Sequence, residues 1–453
     1  MSIIDDKWKL LFDRYDIEKK VSESGPFYIT ADQIREYKEP RLMTKFDTRE
    51  SLPSVFGSRL GILPVTRGTY VIGDFDLYAD FPEQGGPGNL VPGTRVPGVK
   101  KAAIPDYYET IDINDIRSEA GAINVMGISG ILDDFLGGEN FKQTVSGRMA
   151  SGKFTFQVNP VRAGAKAPET YGINGYQIAV NNSQVEIDGG FEDRDTFAMI
   201  EGKNVVHSNF LIRQLYYPYR LWNGKLAKPV RPVFMVYSNN IFRLLEYEFT
   251  DSSCYNSIRL VKEGLYSLED TDISMQDLRE AWERTAVKPE PPVVFIQADS
   301  FEKVISLVEH LNDRALTPAE IAEVFGFRER QSDYYFNACR FLGLAVKEKD
   351  EERNVRVTIT TRGRSLLKLN YKARQIRYVQ LILEHGIFHD LFGIVLRTGE
   401  IPDKRYIEKC IVEQGLCSSS VAGRRASSVS GWLRWIAGLV KGYPMENCVN
   451  MAV

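Results

Sequence analysis

Three side chains with the chemistry of a metal-dependent hydrolase lie close together in the sequence, at Asp188, Glu201 and Lys203. Asp188 ends a segment of alternating apolar and polar residues that begins at Gln184, which is typical of a half-buried strand. Glu201 and Lys203 follow an apolar run at 197–200, and side chains two apart on a strand share a face. A hairpin would bring Asp188 to Glu201. Two carboxylates beside a lysine can hold a divalent metal and position a water for attack on phosphate.

The turn and the helix that would position these side chains are predicted by the neighbouring residues. The glycine pair at 189–190 and the polar residues to 195 predict the turn of the hairpin. Beyond the second strand, Ser208 is a candidate helix cap, and the helix would carry Gln214 and stop at Pro218. The expected order is a strand with an acid, a turn, a strand with an acid and a lysine, and a helix with a glutamine.

This order resembles the core of the PD-(D/E)XK nucleases, and the surrounding residues look more like type II restriction endonucleases than like repair nucleases. The resemblance implies that Asp188, Glu201 and the carbonyl of Gly202 bind Mg²⁺. It also implies that Lys203 orients the attacking water or stabilises developing charge, and that Gln214 supports the site from the helix.

The sequence departs from the family pattern at two positions. Ile187 stands where the signature has a proline, and Pro218 stands where some branches have a tyrosine after the glutamine. A Glu-X-Lys sequence alone is common on solvated strand faces, and an acid before two glycines is often a turn residue. The catalytic interpretation therefore depends on both acids and the lysine occurring in this order.

A third acid, Glu119, is a further candidate for the site. Residues 107–135 have a helical pattern, and Glu119 is expected in the middle of the first helix there, beside small residues. Several nucleases of the resembled family use a carboxylate from a helix upstream of the first core strand, and Glu119 has that place in the order. An exposed surface acid is an equally good interpretation of the same residue.

The composition is that of a globular protein with an uneven charge distribution. At roughly 150 residues per domain, the 453 residues predict two or three domains. The chain carries 57 Lys and Arg against 60 Asp and Glu, but residues 301–453 have 23 against 18 and residues 1–300 have 34 against 42. An acidic catalytic part beside a mildly basic part fits a nuclease with a DNA-reading module.

The cysteines and the hydropathy of the sequence predict where in the cell the protein is found. The five cysteines include no C-x-x-C pair and no signal peptide is recognisable, so reduced thiols in the cytoplasm are expected. No apolar run approaches the roughly 20 residues that span a bilayer, so no membrane partner is expected.

The segments around the motif predict an α/β nuclease core over residues 101–288, a restriction-endonuclease-like mixed sheet flanked by helices. Its further strands are expected at 147–158, 176–180, 230–237 and 241–249. The second of these would pair with the strand that ends in Asp188, and the last two would form a hairpin.

The N-terminal region, residues 1–100, has weaker secondary-structure patterns. Helices are expected near Trp8 and near Asp32, and short strands at 60–65 and 69–72. Its candidates for DNA contact are basic: Arg35, Arg41, Lys45 and Arg67. Loops are expected at 82–97 and, further along the chain, at 161–171.

A proline-rich segment at 289–292 predicts a domain boundary, beyond which the pattern becomes helical. Three helices are expected at 301–311, 318–325 and 331–342, followed by a ribbon of 345–349 with 355–360. This combination is typical of a winged helix-turn-helix, here predicted over 293–370. Its third helix would enter the major groove and present Arg328, Arg330, Gln331 and Tyr334 to DNA. A protein-docking role is the alternative.

A second winged-helix-like helical domain is predicted over residues 371–453. Its helices are expected at 374–383, 388–396, 402–414 and 429–439, with a tail after Gly442 that is disordered or strand-like. Residues 418–428 would lead into the last helix, so that Arg424 and Arg425 lie at a helix start, where arginines suit phosphate contacts.

The sequence therefore predicts a Mg²⁺-dependent type II restriction endonuclease that hydrolyses double-stranded DNA. The resemblance implies a homodimer and a cognate DNA methyltransferase as partners. One alternative is a repair or recombination nuclease of the same fold, which would not cut intact circular plasmid at discrete sites. The other is a non-enzymatic winged-helix regulator, which would not need both acids and the lysine.

Overall fold

The structure, a computed structural model, describes residues 3–82, 98–113, 115–161, 175–327 and 329–440. The loops predicted at 82–97 and 161–171 fall almost wholly outside these residues, and Arg328 and the tail after Gly442 fall outside them. Within them, no helix is both long enough and apolar enough to cross a bilayer.

The N-terminal part packs short helices against a small antiparallel sheet. Its elements are α1 (Ile3–Tyr15), α2 (Ile17–Ser24), β1 (Phe27–Thr30), α3 (Ala31–Arg35), α4 (Pro40–Met43), β2 (Leu60–Pro64) and β3 (Thr69–Asp74). The strand order is β1-β3-β2, and Trp8, Phe12 and Phe56 pack edge to face in the core beside it. The helices and strands predicted here are confirmed.

The middle part contains most of the strands. Its elements are β4 (Tyr78–Asp80), β5 (Val99–Lys101), α5 (Glu119–Ile128), α6 (Ile131–Leu136), β6 (Lys142–Ala150), β7 (Lys153–Val158), β8 (Tyr176–Asn181), β9 (Gln184–Glu192), β10 (Phe197–Lys203), β11 (Asn209–Leu211), α7 (Arg213–Asn223), β12 (Val230–Ser238), β13 (Ile241–Phe249) and β14 (Ile258–Ser267).

The largest sheet among the described residues has the order β5-β14-β13-β12-β10-β9-β6. It is mixed, because β10 runs antiparallel to β9 and parallel to β12. Helices cover both faces: Ala198 and Ile200 of β10 share a core with α5 and α6, whereas Phe197 and Met199 pack towards α7. The predicted mixed sheet with flanking helices is therefore confirmed. Because side chains alternate along a strand, Glu201 and Lys203 lie on the α7 face.

Three local predictions in this part are wrong. The segment 147–158 forms two strands, β6 and β7, because Gly152 adopts a left-handed conformation with φ of 72° between them. The strand β8 pairs with β7, and β9 pairs with β6, so β8 is not the neighbour of the strand that carries Asp188. The glycine pair 189–190 lies inside β9 and not in the turn, and a side chain at either position would collide with Phe191 or Phe197.

The helix after the motif also differs from its prediction. Ser208 does not cap it, since β11 intervenes, and Pro218 lies inside α7 instead of ending it. The ring of Pro218 removes only the hydrogen bond to the carbonyl of Gln214. Burial of Tyr216, Tyr217 and Leu221 in the core outweighs that loss, so the helix continues to Asn223.

The C-terminal part is mainly helical. Its elements are α8 (Met275–Arg284), α9 (Phe301–Asp313), α10 (Pro318–Phe325), α11 (Glu329–Phe341), β15 (Ala345–Lys349), β16 (Val355–Ile359), α12 (Thr361–Leu367), α13 (Tyr371–Leu383), α14 (Gly386–Thr398), α15 (Lys404–Glu413) and α16 (Ser419–Gly438). The predicted helices α9 to α11, the capping box at Thr317 and the β15–β16 hairpin are confirmed. The described residues after 370 contain helices but no second two-stranded ribbon, and α16 starts ten residues before the predicted helix at 429.

The proline-rich segment 289–292 lies between elements that share one packed core. Leu278 and Ala281 of α8 belong to the same buried core as the helices from α9 to α16. The proline-rich segment is itself attached to that core, because the backbone N–H of Lys288 donates to the carbonyl of Glu384 and Glu290 bonds to His385. The same core also includes Leu265 of β14 and Ile273, so it extends across the connection between the middle and C-terminal parts.

Candidate active site

The candidate site forms where β9 and β10 separate. Their ladder ends at the pair of Gly189 with Ile200, one residue before the two acids would face each other. Beyond that point a side chain takes over the role of hydrogen-bond acceptor from the backbone of β9. Oδ2 of Asp188 accepts a hydrogen bond of 2.9 Å from the N–H of Gly202. The predicted hairpin thus brings Asp188 next to the segment that carries Glu201.

Glu201 lies at the centre of the polar contacts. Its Oε1 accepts from Nζ of Lys203 at 2.6 Å and from Nε2 of Gln214 at 2.5 Å. Nζ of Lys203 also donates to the carbonyl of Gly202 at 3.1 Å. Gln214 reaches the acid because it lies in the first turn of α7, on the face of the sheet towards which Glu201 points. The structure therefore brings together all the residues of the predicted motif.

Burial sets the protonation behaviour of this cluster. Glu201 is only 9% exposed, and the loss of solvation raises its pKa to about 7, with Asp188 adding to the rise and Lys203 opposing it. Burial would lower the pKa of Lys203, but the charges of Glu201 and its acidic neighbours outweigh that effect and raise the pKa above its usual value. The lysine therefore stays charged, while Glu201 is poised to exchange a proton near neutral pH.

Glu119 belongs to the same cluster, although its predicted position in the helix is wrong. It is the first residue of α5, after the cap residue Ser118, and the residues before it are not helical. Burial raises the pKa of Glu119, whereas the charge of Lys203 lowers it and the charge of Asp188 raises it. A backbone hydrogen bond from Asn204 holds its carboxyl group next to Lys203.

Two residues near the site were not predicted from the sequence. Asp47, from the N-terminal part, raises the pKa of both Glu201 and Lys203, and its carbonyl accepts from the N–H of Leu211 just before α7. His207 lies between the site and α10, where Nδ1 is 3.2 Å from the carbonyl of Phe325. Burial, together with the nearby charge of Lys203, lowers the pKa of His207 to about 4.

The oxygen atoms of the cluster suit Mg²⁺. The hydrogen bonds described above use Oδ2 of Asp188 and Oε1 of Glu201, which leaves Oδ1 and Oε2 as carboxylate donors. Gln214 lies beside these carboxylates, and its Oε1 is buried and has no hydrogen-bond partner among the described residues. Hard oxygen donors are the ligands that Mg²⁺ prefers. Across the same residues, no three His, Cys, Asp or Glu side chains already stand in a metal-holding arrangement.

Four of the six C-terminal residues predicted to contact DNA lie together at a second place. Arg330, Gln331 and Tyr334 of α11 and Arg424 of α16 line one open cleft of about 560 Å³, together with Glu50 and Gln297. Arg424 and Arg425 lie within α16 and not at a helix start. Arg425 is half-buried, and its buried Nε has no hydrogen-bond partner among the described residues.

Three models of protein families match the chain, and each is described as a domain of unknown function. They cover residues 5–72 (DUF6996), 73–267 (DUF6997) and 303–441 (DUF7226). No curated protein and no solved structure matches. The middle range ends with β14 and contains Glu119, Asp188, Glu201, Lys203 and Gln214. The open cleft is lined from the first and third ranges and by Gln297, which lies between the second and third ranges.

Proposed function

We propose that this chain is a Mg²⁺-dependent DNA endonuclease of the PD-(D/E)XK superfamily, of the type II restriction kind. The observation that carries the proposal is the convergence of Asp188, Glu201 and Lys203 at the separated ends of β9 and β10, with Gln214 bonded to Glu201. The connection of β10 to β12 supports the same proposal. The two strands are parallel and α7 lies between them in the chain, so α7, which carries Gln214, packs over β10, which carries Glu201 and Lys203.

Each side chain has a role that its surroundings support. Asp188 and Glu201, with the carbonyl of Gly202, would hold Mg²⁺, which when bound lowers the pKa of a water and neutralises phosphate charge. Lys203 stays charged and faces Glu201, so it can orient a water or balance charge that develops on the phosphate. Gln214 fixes the rotamer of Glu201 from α7. Glu119 would complete the acidic side of the site from α5.

We also propose that α9, α10, α11 and the β15–β16 hairpin form a winged helix that binds the DNA substrate. Arg330, Gln331 and Tyr334 on α11 carry suitable donors and an aromatic ring. A homodimer would supply the second active site that a double-strand cut needs.

Replacing Glu201 tests the nuclease proposal. Glu201→Ala removes a negative charge and a ligand oxygen, so plasmid cleavage in Mg²⁺ should fall by about three or more powers of ten. DNA binding should survive, because the lost carboxylate repels phosphates. The control is Glu186→Ala, an exposed acid on β9 that pairs with Arg148 at 3.1 Å on the neighbouring strand.

Thermal melting should show that both variants fold. A folded Glu201→Ala protein that cuts plasmid at nearly the wild-type rate would overturn the assignment. Cleavage of intact circular plasmid at discrete sites separates a restriction enzyme from a repair nuclease, which would act on ends or irregular structures. Binding of DNA without any cleavage by the wild type would favour a regulator.

A further inference from the structure

The open cleft brings the start of α11 together with residues from other parts of the chain. It is lined on one side by Arg330, Gln331 and Tyr334 of α11, and on the others by Glu50, Gln297 and Arg424. These walls come from the N-terminal part, from the segment before α9 and from α16. A group bound in the cleft would therefore contact α11 and these segments together.

The chemistry of the walls suits one nucleotide. The ring of Tyr334 offers a stacking surface, with the guanidinium of Arg330 already over it at 5.6 Å from the centroid. Gln297 and Gln331 carry amide groups that can donate and accept at a base edge. Arg330 and Arg424 can bind a phosphate. Within the part of the chain that the structure describes, neither of these two arginines forms an ion pair.

The one acid of the cleft does not neutralise these arginines. Both carboxylate oxygens of Glu50 accept from Nδ2 of Asn209, at 3.1 and 2.9 Å. Asn209 begins β11, which leads directly into α7 and Gln214. The cleft therefore keeps a net positive character, and its wall is connected to the element that holds Glu201. Its volume of about 560 Å³ lies within the range of roughly 300 to 1,000 Å³ that is usual for small-molecule sites.

We propose that this cleft binds a single nucleotide, with the base stacked on Tyr334 and its phosphate on Arg330 and Arg424. The inference rests on the proposed function, because it takes a nucleic acid component as the ligand. The nucleotide has two possible sources, a base extruded from bound DNA or a free nucleotide. Extrusion is cheapest for a mispaired base, so a mismatch reveals it whatever the recognition sequence is.

The test measures binding to the full chain without divalent metal, so that no cleavage occurs. One arm compares a fully paired duplex with the same duplex carrying one central mismatch, by fluorescence anisotropy. The other arm titrates the four deoxynucleoside 5′-monophosphates. If the base comes from DNA, the mismatched duplex binds about tenfold more tightly, and Tyr334→Ala removes the preference while Tyr334→Phe keeps it. If the source is the free nucleotide, the monophosphates bind and Tyr334→Ala abolishes that binding.

A second variant guards against misfolding of Tyr334→Ala. Arg424 is exposed, so Arg424→Ala should fold and should weaken binding of the mismatched duplex or the monophosphate by about tenfold. Arg405→Ala, an exposed arginine on α15, should change neither. The absence of both binding signals, or their persistence in Tyr334→Ala and Arg424→Ala, overturns the inference. Because cleavage is not measured, that result leaves the nuclease proposal standing, and an active Glu201→Ala protein would overturn the nuclease proposal alone.

Discussion

At the scale of single residues, the contact between Lys203 and Glu201 decides how the candidate site behaves before a metal arrives. The two charges are almost fully removed from solvent, with side-chain exposures of 16% and 11%. A buried carboxylate is tolerated when a cation and a hydrogen-bond donor accompany it, and here Lys203 and Gln214 provide both. The lysine thus stabilises the buried acid as well as serving the proposed chemistry.

Removing the lysine should make stability depend on pH. Lys203→Met leaves Glu201 buried without its cation, a loss of about 3 to 5 kcal/mol when the acid is charged. Burial raises the pKa of Glu201 and Lys203 lowers it, so without the lysine this pKa lies above its wild-type value of about 7. In the variant the buried acid is neutral and tolerated at low pH, and it costs stability as pH rises through this raised pKa. The variant should therefore melt far below wild type at about pH 8 and much closer to it at about pH 5.

The control for this prediction is Lys153→Met, which changes an exposed lysine on β7. Its melting temperature should follow that of the wild type at each pH. Equal destabilisation of Lys203→Met at the two pH values would show that the ion pair is not responsible.

The same pKa predicts how the need for Mg²⁺ varies with pH. Below about pH 7 Glu201 carries a proton, and a protonated carboxyl group is a poor metal ligand. The half-saturating Mg²⁺ concentration for cleavage should rise several-fold for each unit that the pH falls below about 7, and should level off above it. Cleavage rates measured against Mg²⁺ concentration at several pH values check this. A half-saturating concentration that stays constant from about pH 6 to pH 8 would contradict it.

At the scale of helices and strands, glycines decide how closely α5 approaches the sheet. A Cβ atom on Gly202 would lie 3.0 Å from Cδ1 of Ile123 on α5 and 3.4 Å from Cε of Met235. The first distance is tighter than ordinary packing, so the end of the Ile123 side chain would have to shift by a few tenths of an ångström.

This packing predicts that a second substitution can restore stability lost through a first one. Gly202→Ala should destabilise the protein by about 1 to 3 kcal/mol through overpacking. Ile123→Val removes the Cδ1 atom that the new methyl group meets, so adding it should restore part of the lost stability. Thermal unfolding of the two single variants and of the double variant measures this. A double variant less stable than Gly202→Ala alone would argue against the contact.

Elements with a strong local pattern could be predicted from the sequence. β10 has its apolar run, the β12–β13 hairpin has its Asn-Asn turn, and α10 has its capping box, and all three are present. The errors occur where packing between distant segments outweighs local preference. Gly190 looks like a turn residue but lies in a strand, because Phe197 and Val145 fill the space of a side chain.

In the candidate site, too, the residues of a local pattern could be predicted and those brought in by distant segments could not. The order of the acids and the lysine is local, so the sequence alone brought Asp188 and Glu201 together. Asp47 and His207 could not be predicted, because neither belongs to the motif and nothing in the sequence connects residue 47 with residue 201. The hydrogen bond from Leu211 to the carbonyl of Asp47, with those that join Arg49 and Glu50 to Asn209, brings the N-terminal part to the site.

At the scale of the whole molecule, the site lies where all three parts of the chain meet. Asp47 comes from the N-terminal part, the motif comes from the middle part, and Phe325 of the C-terminal part contacts His207. Lys303 of α9 also donates to Oγ of Ser208 at 2.7 Å. The loop that follows Lys203 is therefore held by the helices proposed to bind DNA.

The proline-rich segment should behave as part of the C-terminal core. Glu290 bonds to the buried ring of His385 at 2.8 Å, and Lys288 bonds to the backbone of Glu384 at 2.7 Å. If a protease site is inserted after Pro292 and cut, the two fragments should elute together in gel filtration, because α8 remains docked on α13 and α14. A matched site in the exposed turn at 350–354 should also be cut without separation. Fragments that elute separately after the first cut would contradict this packing.

The hydrogen bond from Gly202 to Asp188 has a consequence for how this protein can evolve. The side chain of Asp188 accepts the hydrogen bond from the N–H of Gly202 beyond the end of the β9–β10 ladder. Position 188 therefore has a structural role as well as its role in the proposed chemistry. A descendant that no longer needs catalysis could exchange Glu201 and Lys203 for apolar residues of similar size without breaking the sheet. It could not do so at position 188, where a buried donor would lose its acceptor. Inactive descendants are therefore expected to keep aspartate or asparagine there long after the rest of the motif has changed.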